Sequence, residues 1–153
     1  MSSLRLLLID DSAADLRLFT EAIADHADVH CTAFQDSVES LAWLRAQPTH
    51  MLPHLVVIET YLPKLDGLGW LTAIHAEPHL AGLVVLFYAI SINDTAFDAC
   101  HHRQVCGCWQ KARDFSGTQV QVDSLVSLWE RQGQFGPELC AANPIGSPTH
   151  TFL

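Results

Sequence analysis

The chain has 153 residues, which is the ordinary size of one globular domain with a sizeable core. Hydrophobic residues make up 49% and charged residues 16% of the chain, so its composition excludes disorder for most of its length. A net charge of −9 argues against binding to nucleic acid or to anionic membranes, because both reward basic surfaces. A protein partner is therefore favoured.

The amino-terminal apolar run is predicted to be a buried strand. It covers Leu4–Ile9, is too short to span a membrane, and ends in Asp10 and Asp11 rather than in the small residues of a signal-peptide cleavage site. Without a secretion signal, the five cysteines are expected to be free thiols in a reducing compartment. The sequence therefore predicts a cytoplasmic protein.

Strand-like and helix-like patterns alternate along the rest of the chain. In chain order, the predicted elements are a strand at about residues 5–9, a helix at 13–24, a strand at 29–33, a helix from 37 to Pro48, a strand at 55–59, a helix at 67–77, a strand at 83–88, a helix at 94–101, a strand at 106–110 and a helix at 118–130. Ser12 and Asp36 or Ser37 are expected helix caps.

Five strand and helix repeats predict a parallel sheet with helices on both faces. The almost continuous apolar run at residues 83–88 is typical of a strand buried on both sides. A flavodoxin-like doubly wound fold with the strand order 2-1-3-4-5 is the first choice. We expect this domain to occupy residues 1–131, and the glycine- and proline-containing residues 132–153 to form an irregular tail.

Charged side chains follow three of the predicted strands. Asp10 and Asp11 follow the first strand, Glu59 ends the third, and Lys111 follows the fifth. The carboxyl ends of parallel strands gather ligands at one edge of such a sheet, so these four residues are expected to converge. Three crowded carboxylates raise at least one pKa unless Lys111 or a cation compensates, and their oxygens suit Mg²⁺ or Ca²⁺.

The passage around Glu59 resembles the phosphoacceptor segment of bacterial response-regulator receiver domains. It contains an apolar strand, then Glu59, then Leu62-Pro63 and Asp66-Gly67 at the family's spacing. The resemblance covers roughly residues 4–130, so the predicted domain at residues 1–131 is receiver-like. The runs 10–17 and 91–94 look most like the stand-alone receivers that accompany bacterial phytochromes.

The resemblance also implies roles for the charged residues. Receivers bind Mg²⁺ through an acidic pair after strand one, matched by Asp10 and Asp11. They carry the phosphoacceptor at the end of strand three, where this chain has Glu59, and a lysine after strand five, matched by Lys111. The implied metal ligands are thus Asp10, Asp11 and Glu59.

Three positions depart from the family pattern. Glu59 stands in place of the phosphoacceptor aspartate, and its extra methylene displaces the carboxylate by an amount comparable to the roughly 1 Å that costs about 100-fold in rate. Tyr88 or Ala89 stands where receivers have Thr or Ser, so no aliphatic hydroxyl is offered. Lys111-Ala112 replaces Lys-Pro, and its peptide bond is expected to be trans because a cis bond before Ala costs about 2.5–4 kcal/mol.

These departures favour an atypical receiver, or pseudo-receiver, that acts through protein contacts and is not an enzyme. Two mechanisms are expected for it: Glu59 beside Lys111 locks the domain in one state, or a partner protein controls it. The first alternative is a phosphorylatable single-domain response regulator that takes phosphate from a histidine kinase. A second is a small metal-dependent enzyme using Asp10, Asp11 and Glu59. A structural ion pair without function remains a further interpretation.

The resemblance implies a sensor histidine kinase, of the phytochrome type, as the partner. It also implies a homodimer through the last helix and strand, whereas the net charge of −9 argues against nucleic acid and membrane as targets. Trp129, at the end of the last helix, is the predicted interface anchor because aromatic residues often anchor associations.

Overall fold

The computed structural model describes residues 3–102 and 107–145, except for the side chains at 100–102. Strands and helices alternate through these residues. They are β1 (Leu4–Ile9), α1 (Ala13–Ile23), β2 (Val29–Phe34), α2 (Ser37–Ala46), β3 (Leu55–Ile58), α3 (Gly67–His75), β4 (Val85–Ala89), α4 (Asp94–His102), β5 (Gly107–Gln110) and α5 (Phe115–Gln132), with short 3₁₀ turns at Thr49–Met51 and Pro137–Ala141.

The strands form one sheet in the order β2-β1-β3-β4-β5, and every neighbouring pair is parallel. This confirms the predicted flavodoxin-like topology. All the described residues of β3 and β4 are buried, because helices cover both faces of the sheet.

Alternate residues of the strands supply two separate cores. Leu6 and Leu8 of β1 pack with α1 and α5, where Phe19 is 1% exposed. Leu7 of β1 faces the other side, where Trp70 of α3 is 0% exposed. The indole nitrogen of Trp70 donates to the Ser40 hydroxyl at 3.0 Å, so this large side chain is buried without losing its hydrogen bond.

Some boundaries differ from those predicted. The last helix begins at Phe115, three residues before the expected start, because the Asp114 carboxylate caps it by accepting from the Gly117 amide at 2.7 Å. The 3₁₀ turn at Thr49–Met51 was not expected from the sequence pattern. Cys106, the predicted first residue of the fifth strand, lies outside the described residues.

The C-terminal segment (residues 134–145) packs against the edge of the sheet and α5. Leu139 is 0% exposed, and its carbonyl accepts from the Trp109 indole nitrogen at 2.8 Å. A Cβ atom at Gly107 would lie 2.9 Å from Cα of Cys140, so only glycine permits this close approach. Strand β5 is thereby covered. The part of the predicted tail at residues 146–153 lies outside the described chain.

Trp129 is not the exposed anchor that the sequence suggested. It is 8% exposed and lies between His54, at a ring centroid distance of 4.3 Å, and Phe135, at 5.7 Å. The prediction that Trp129 anchors an interface is therefore wrong for this chain, because the C-terminal segment supplies its aromatic partner.

The cysteines are not uniformly free. Among the cysteines whose side chains are described, Cys31 and Cys140 are free thiols and Cys108 is disulfide-bonded. The prediction of five free thiols is wrong at Cys108. Cys100 and Cys106 lie outside the described side chains.

Across the described ranges, no helix combines the length and the apolar character that a membrane span requires.

Candidate functional site

The sheet itself positions three of the predicted site residues. The backbone amides of Asp10, Glu59 and Lys111, each one residue beyond its strand, donate to carbonyl oxygens of the neighbouring strand at 3.1, 2.9 and 2.8 Å. Sheet hydrogen bonding thus continues one step past the strand ends. The three side chains leave the sheet at one edge, as parallel topology predicts.

The Lys111 ammonium is the centre of the site. Its Nζ lies 2.6 Å from Asp10 Oδ2, 2.9 Å from Asp15 Oδ2 and 3.0 Å from Glu59 Oε2. The contacts with Asp10 and Asp15 are hydrogen bonds, and the contact with Glu59 is an ion pair. One cation therefore serves three carboxylates.

Burial governs the protonation of this cluster. The Lys111 and Asp10 side chains are only 7% and 3% exposed, and that of Glu59 is 11% exposed. Burial raises the pKa of both Asp10 and Glu59, although the neighbouring Lys111 partly offsets the effect. Burial disfavours the charged form of Lys111 and so lowers its pKa. The hydrogen bonds to Asp10 and Asp15 raise the pKa by more, so the pKa of Lys111 lies above its ordinary value. The lysine stays charged at neutral pH.

The raised pKa of Glu59 predicts a pH-dependent stability. Because protonated Glu59 is favoured in the folded state, its contribution to stability is complete below pH 4.5, the ordinary pKa of a glutamate. This contribution is lost as the pH rises through the pKa that Glu59 has in the folded protein. Glu59→Gln removes the ionisable group, so the variant does not lose this stability as the pH rises. Between about pH 4 and about pH 8, we expect the free energy of unfolding of Glu59→Gln to rise relative to wild type by about 1.4 kcal/mol per unit of the wild-type shift.

Urea unfolding across this pH range measures the difference. The control is Glu130→Gln, which removes an exposed carboxylate from α5. A Glu59→Gln profile parallel to that of wild type would show that the Glu59 carboxylate is not destabilised by burial.

The implied metal ligands do not form a cation site as they stand. Asp10 Oδ2 accepts from Lys111 and its Oδ1 accepts from the Ser12 amide at 2.9 Å, while Glu59 Oε2 faces Lys111. Asp11 is exposed. Over the described residues, no group of three or more His, Cys, Asp or Glu side chains is placed to hold a metal. The Lys111 ammonium is the positive charge that pairs with the Asp10 and Glu59 carboxylates in this structure.

The strand-four positions offer no free hydroxyl to the site. The Tyr88 hydroxyl donates to Gln121 Oε1 at 2.6 Å, and burial raises the pKa of Tyr88 to about 12. The Tyr88 ring centroid lies 5.9 Å from Lys111 Nζ, so this residue contributes a ring face to the site. Ala89 is fully buried. The described chain contains no cis peptide bond, and Lys111-Ala112 is trans as predicted.

The Asp66-Gly67 pair fixes the loop after Glu59. The Asp66 carboxylate caps α3 by accepting from the Gly69 amide at 2.9 Å. The Gly67 amide donates to the Thr60 carbonyl at 2.8 Å, and a Cβ at Gly67 would lie 3.1 Å from the Glu59 carbonyl oxygen. The motif therefore brings the start of α3 close to the Glu59 backbone.

Asp15 belongs to the site but was not predicted. Asp10, Glu59 and Lys111 converge as expected, whereas no described contact joins Asp11 to them. A signal for Asp15 was present, because it lies in the first turn of the helix that directly follows Asp10 and Asp11. Its carboxylate reaches a lysine 96 positions away, which the spacing of residues does not reveal.

Two response regulators are similar to this chain over most of its length. No protein-family model matches the chain. The response regulator Rcp1 of Synechocystis is 27% identical over 128 residues, which span 81% of this chain and 87% of Rcp1. The phosphorylated cyanobacterial phytochrome response regulator RcpA aligns with a TM-score of 0.77 at 25% identity, covering 88% of this chain and 99% of RcpA.

The Mn²⁺-bound form of Rcp1 aligns with a TM-score of 0.74 at 26% identity, covering 86% of this chain and 97% of that structure. The topology and the similarity to these regulators therefore lead to the same family. The chain is similar in sequence and in fold to the response regulator Rcp1 and to the phytochrome response regulator RcpA, and its fold is that of a response-regulator receiver domain.

Proposed function

We propose that this chain is an atypical receiver that acts through protein contacts and does not depend on ordinary aspartyl phosphorylation. The observation that carries the proposal is the engagement of the Lys111 ammonium by Asp10, Asp15 and Glu59. In this function, Glu59 is a fixed negative charge beside Lys111. The domain keeps one charge arrangement without a phosphoryl group.

The surroundings of Glu59 support this proposal. Phosphoryl transfer needs its reacting atoms about 3–3.5 Å apart and in line, and the added methylene of glutamate moves the carboxylate out of the aspartate position. The Tyr88 hydroxyl is already bonded to Gln121, and Ala89 has none. Lys111, which the family resemblance assigns to the phosphoryl group, is occupied by carboxylates.

The deciding experiment incubates the full chain with Mg²⁺ and acetyl phosphate and follows intact mass. We expect no phosphoryl adduct on wild type. Glu59→Asp serves as a test of the remaining site: an adduct would show that it is still competent, and none would implicate Tyr88, Ala89 or the Lys111-Ala112 turn. A stoichiometric adduct on wild type that disappears in Glu59→Gln would overturn the proposal.

The alternative function is a phosphorylatable regulator with Glu59 as the acceptor. The similarity to RcpA, whose structure is of the phosphorylated protein, favours it. The same mass measurement separates the two functions, because only this alternative gives a wild-type adduct. The divalent cation also remains a proposal here, supported by the Mn²⁺-bound form of Rcp1. A cation at Asp10, Asp11 and Glu59 requires Lys111 to move away from Asp10 and Glu59.

The proposed partner is a sensor histidine kinase of the phytochrome type in the cytoplasm, supported by the similarity to a phytochrome response regulator. A homodimer through the last helix is part of the same proposal. Phe115 and Val120 of α5 are 42% and 45% exposed, which supports an apolar contact there in place of the buried Trp129. The acidic net charge supports neither nucleic acid nor membrane as a target.

A further inference from the structure

A cleft of about 470 Å³ lies at the amino-terminal ends of β1 and β2, between these strands and α2. Ligand pockets in proteins have volumes of roughly 300–1,000 Å³ and combine apolar walls with a few polar groups. The walls of this cleft, which we call the Arg5 cleft, include Arg5, His30, Thr32, Trp43, Met51 and Pro53. The charged site around Lys111 lies at the carboxyl ends of the strands, so the Arg5 cleft is separate from it.

The Arg5 guanidinium is held in place by two backbone carbonyls. Its Nε donates to the Leu52 carbonyl and its Nη2 donates to the His50 carbonyl, both at 3.1 Å. A guanidinium has five N–H donors, so these two bonds leave three for another acceptor. The Arg5 side chain is therefore fixed in position and still able to donate to an anion.

The positive charge of Arg5 has no carboxylate partner among the described residues, whereas Lys111, Lys64 and Arg45 each have one. The other described arginines without a carboxylate partner are exposed to solvent, but Arg5 is half-buried. The chain has 17 acidic and only 8 basic residues, so carboxylates are plentiful and yet none is placed beside this charge. An anion from outside the chain would supply the missing partner.

Trp43 gives the cleft an aromatic wall. Its ring packs against Phe34 at a centroid distance of 5.8 Å, which holds the indole in place. Met51 and Pro53 add further apolar surface, and the Thr32 hydroxyl can donate to a ligand. These walls fit a planar apolar body, and the single permanent charge of the cleft fits a monoanion.

We propose that the Arg5 cleft binds a small aromatic monocarboxylate, whose carboxylate pairs with Arg5 and whose ring packs on Trp43. This site goes beyond the proposed function, because it uses none of the residues that surround Lys111. A phosphoryl adduct on wild type would therefore contradict the proposed function and leave the binding site standing.

A purely structural role for Arg5 has a different consequence. An arginine that only ties residues 50–52 to β1 does not make the protein distinguish an anion from a neutral molecule of the same shape. The decisive comparison is therefore between 2-naphthoate and 2-naphthamide, which share a ring system and differ in charge.

Two-dimensional ¹⁵N–¹H NMR titrations of the full chain at pH 7 measure the binding of both probes. We expect 2-naphthoate to bind saturably, with a Kd of about 1 mM or lower, and to shift the amide signals of Thr32 and Trp43. We expect 2-naphthamide to bind at least about tenfold more weakly, because the charge-assisted hydrogen bond to Arg5 is lost. In Arg5→Met, the affinity for 2-naphthoate should fall to that for 2-naphthamide.

The matched control is Arg45→Met, which removes a cation of α2 that pairs with Glu77 and does not line the cleft, so both affinities should stay as in wild type. Equal wild-type affinities for the two probes, or no saturable shifts with 2-naphthoate up to about 10 mM, would overturn the proposal. Tighter binding of 2-naphthyl phosphate, a dianion, would overturn the choice of a monocarboxylate.

A second copy of the chain is the other possible occupant of the Arg5 cleft. Shifts of Thr32 and Trp43 that depend on protein concentration alone would show that the cleft is an interface between copies, against the proposal. The comparison of probes on wild type is decisive by itself, so a poorly folded Arg5→Met does not remove the test.

Discussion

Lys111→Met is expected to lower the free energy of unfolding at pH 7 by about 3–5 kcal/mol, the usual cost of leaving buried charges unpaired. Methionine preserves much of the side-chain length but leaves Asp10, Asp15 and Glu59 facing one another without a cation. The wild-type lysine has a pKa raised above its ordinary value of 10.5, so it is fully charged at pH 7 and its pairing with the ionised carboxylates contributes fully there. Urea unfolding followed by circular dichroism measures the loss.

The same variant should recover stability in acid. Without the ammonium, the pKa values of Asp10 and Glu59 rise further above their ordinary ones, so protonation favours the folded state. That stabilisation is complete below the ordinary values and is lost as the pH rises through the folded-state values. The gap between Lys111→Met and wild type should therefore narrow from pH 7 to about pH 4.

Lys64→Met is the matched control for this prediction. Lys64 also pairs with a carboxylate, Asp36, at 2.7 Å, but its side chain is 70% exposed. Solvent screens such a pair, so its loss should matter far less than that of Lys111. Equal stability of Lys111→Met and wild type at pH 7 would show that the buried carboxylates do not depend on this lysine.

Leu139→Ala is expected to destabilise the protein by about 2–5 kcal/mol, as truncation of a fully buried leucine usually does. Leu139 is 0% exposed in the C-terminal segment and packs in the same core as Trp109 and Val126. Truncation of the Leu139 side chain also loosens the C-terminal segment, in which the Leu139 carbonyl accepts a hydrogen bond from the Trp109 indole nitrogen. Thermal or urea unfolding of the full chain measures the effect.

Glu138→Ala provides the comparison, because Glu138 lies in the same 3₁₀ turn and is exposed. Surface substitutions of this kind usually change stability by less than about 0.5 kcal/mol. If Leu139→Ala were as mild as Glu138→Ala, the C-terminal segment would not be part of the core in solution.

The fold was predictable because its signals are local and repeated. Residues 83–88 form an unbroken apolar run, and Pro48 ends a helical pattern, so strand and helix positions follow from the sequence. Right-handed crossovers then limit the topology, which places Asp10, Glu59 and Lys111 at one edge. The convergence of these side chains follows directly from the strand order.

The remaining features depend on contacts between distant parts of the chain. Trp129 was expected at the surface because its helix pattern carries no information about Phe135, which lies beyond the helix and covers it. Asp15 was missed because the tie between α1 and Lys111 depends on side-chain reach. Side-chain direction and the path of an irregular segment are set by packing, which periodicity does not encode.

The Gln121 side chain links two strands, a helix and the C-terminal segment. Its Oε1 accepts from the Tyr88 hydroxyl at 2.6 Å and from the Ala112 amide at 3.3 Å, while its Nε2 donates to the Gln110 carbonyl at 2.8 Å and to Asn143 Oδ1 at 3.0 Å. Two acceptor and two donor positions of one amide are thus all used. A single uncharged side chain therefore ties β4, β5, α5 and the C-terminal segment together. A change in the charged site, transmitted through the ring of Tyr88, and a change in the C-terminal segment would therefore meet at this amide.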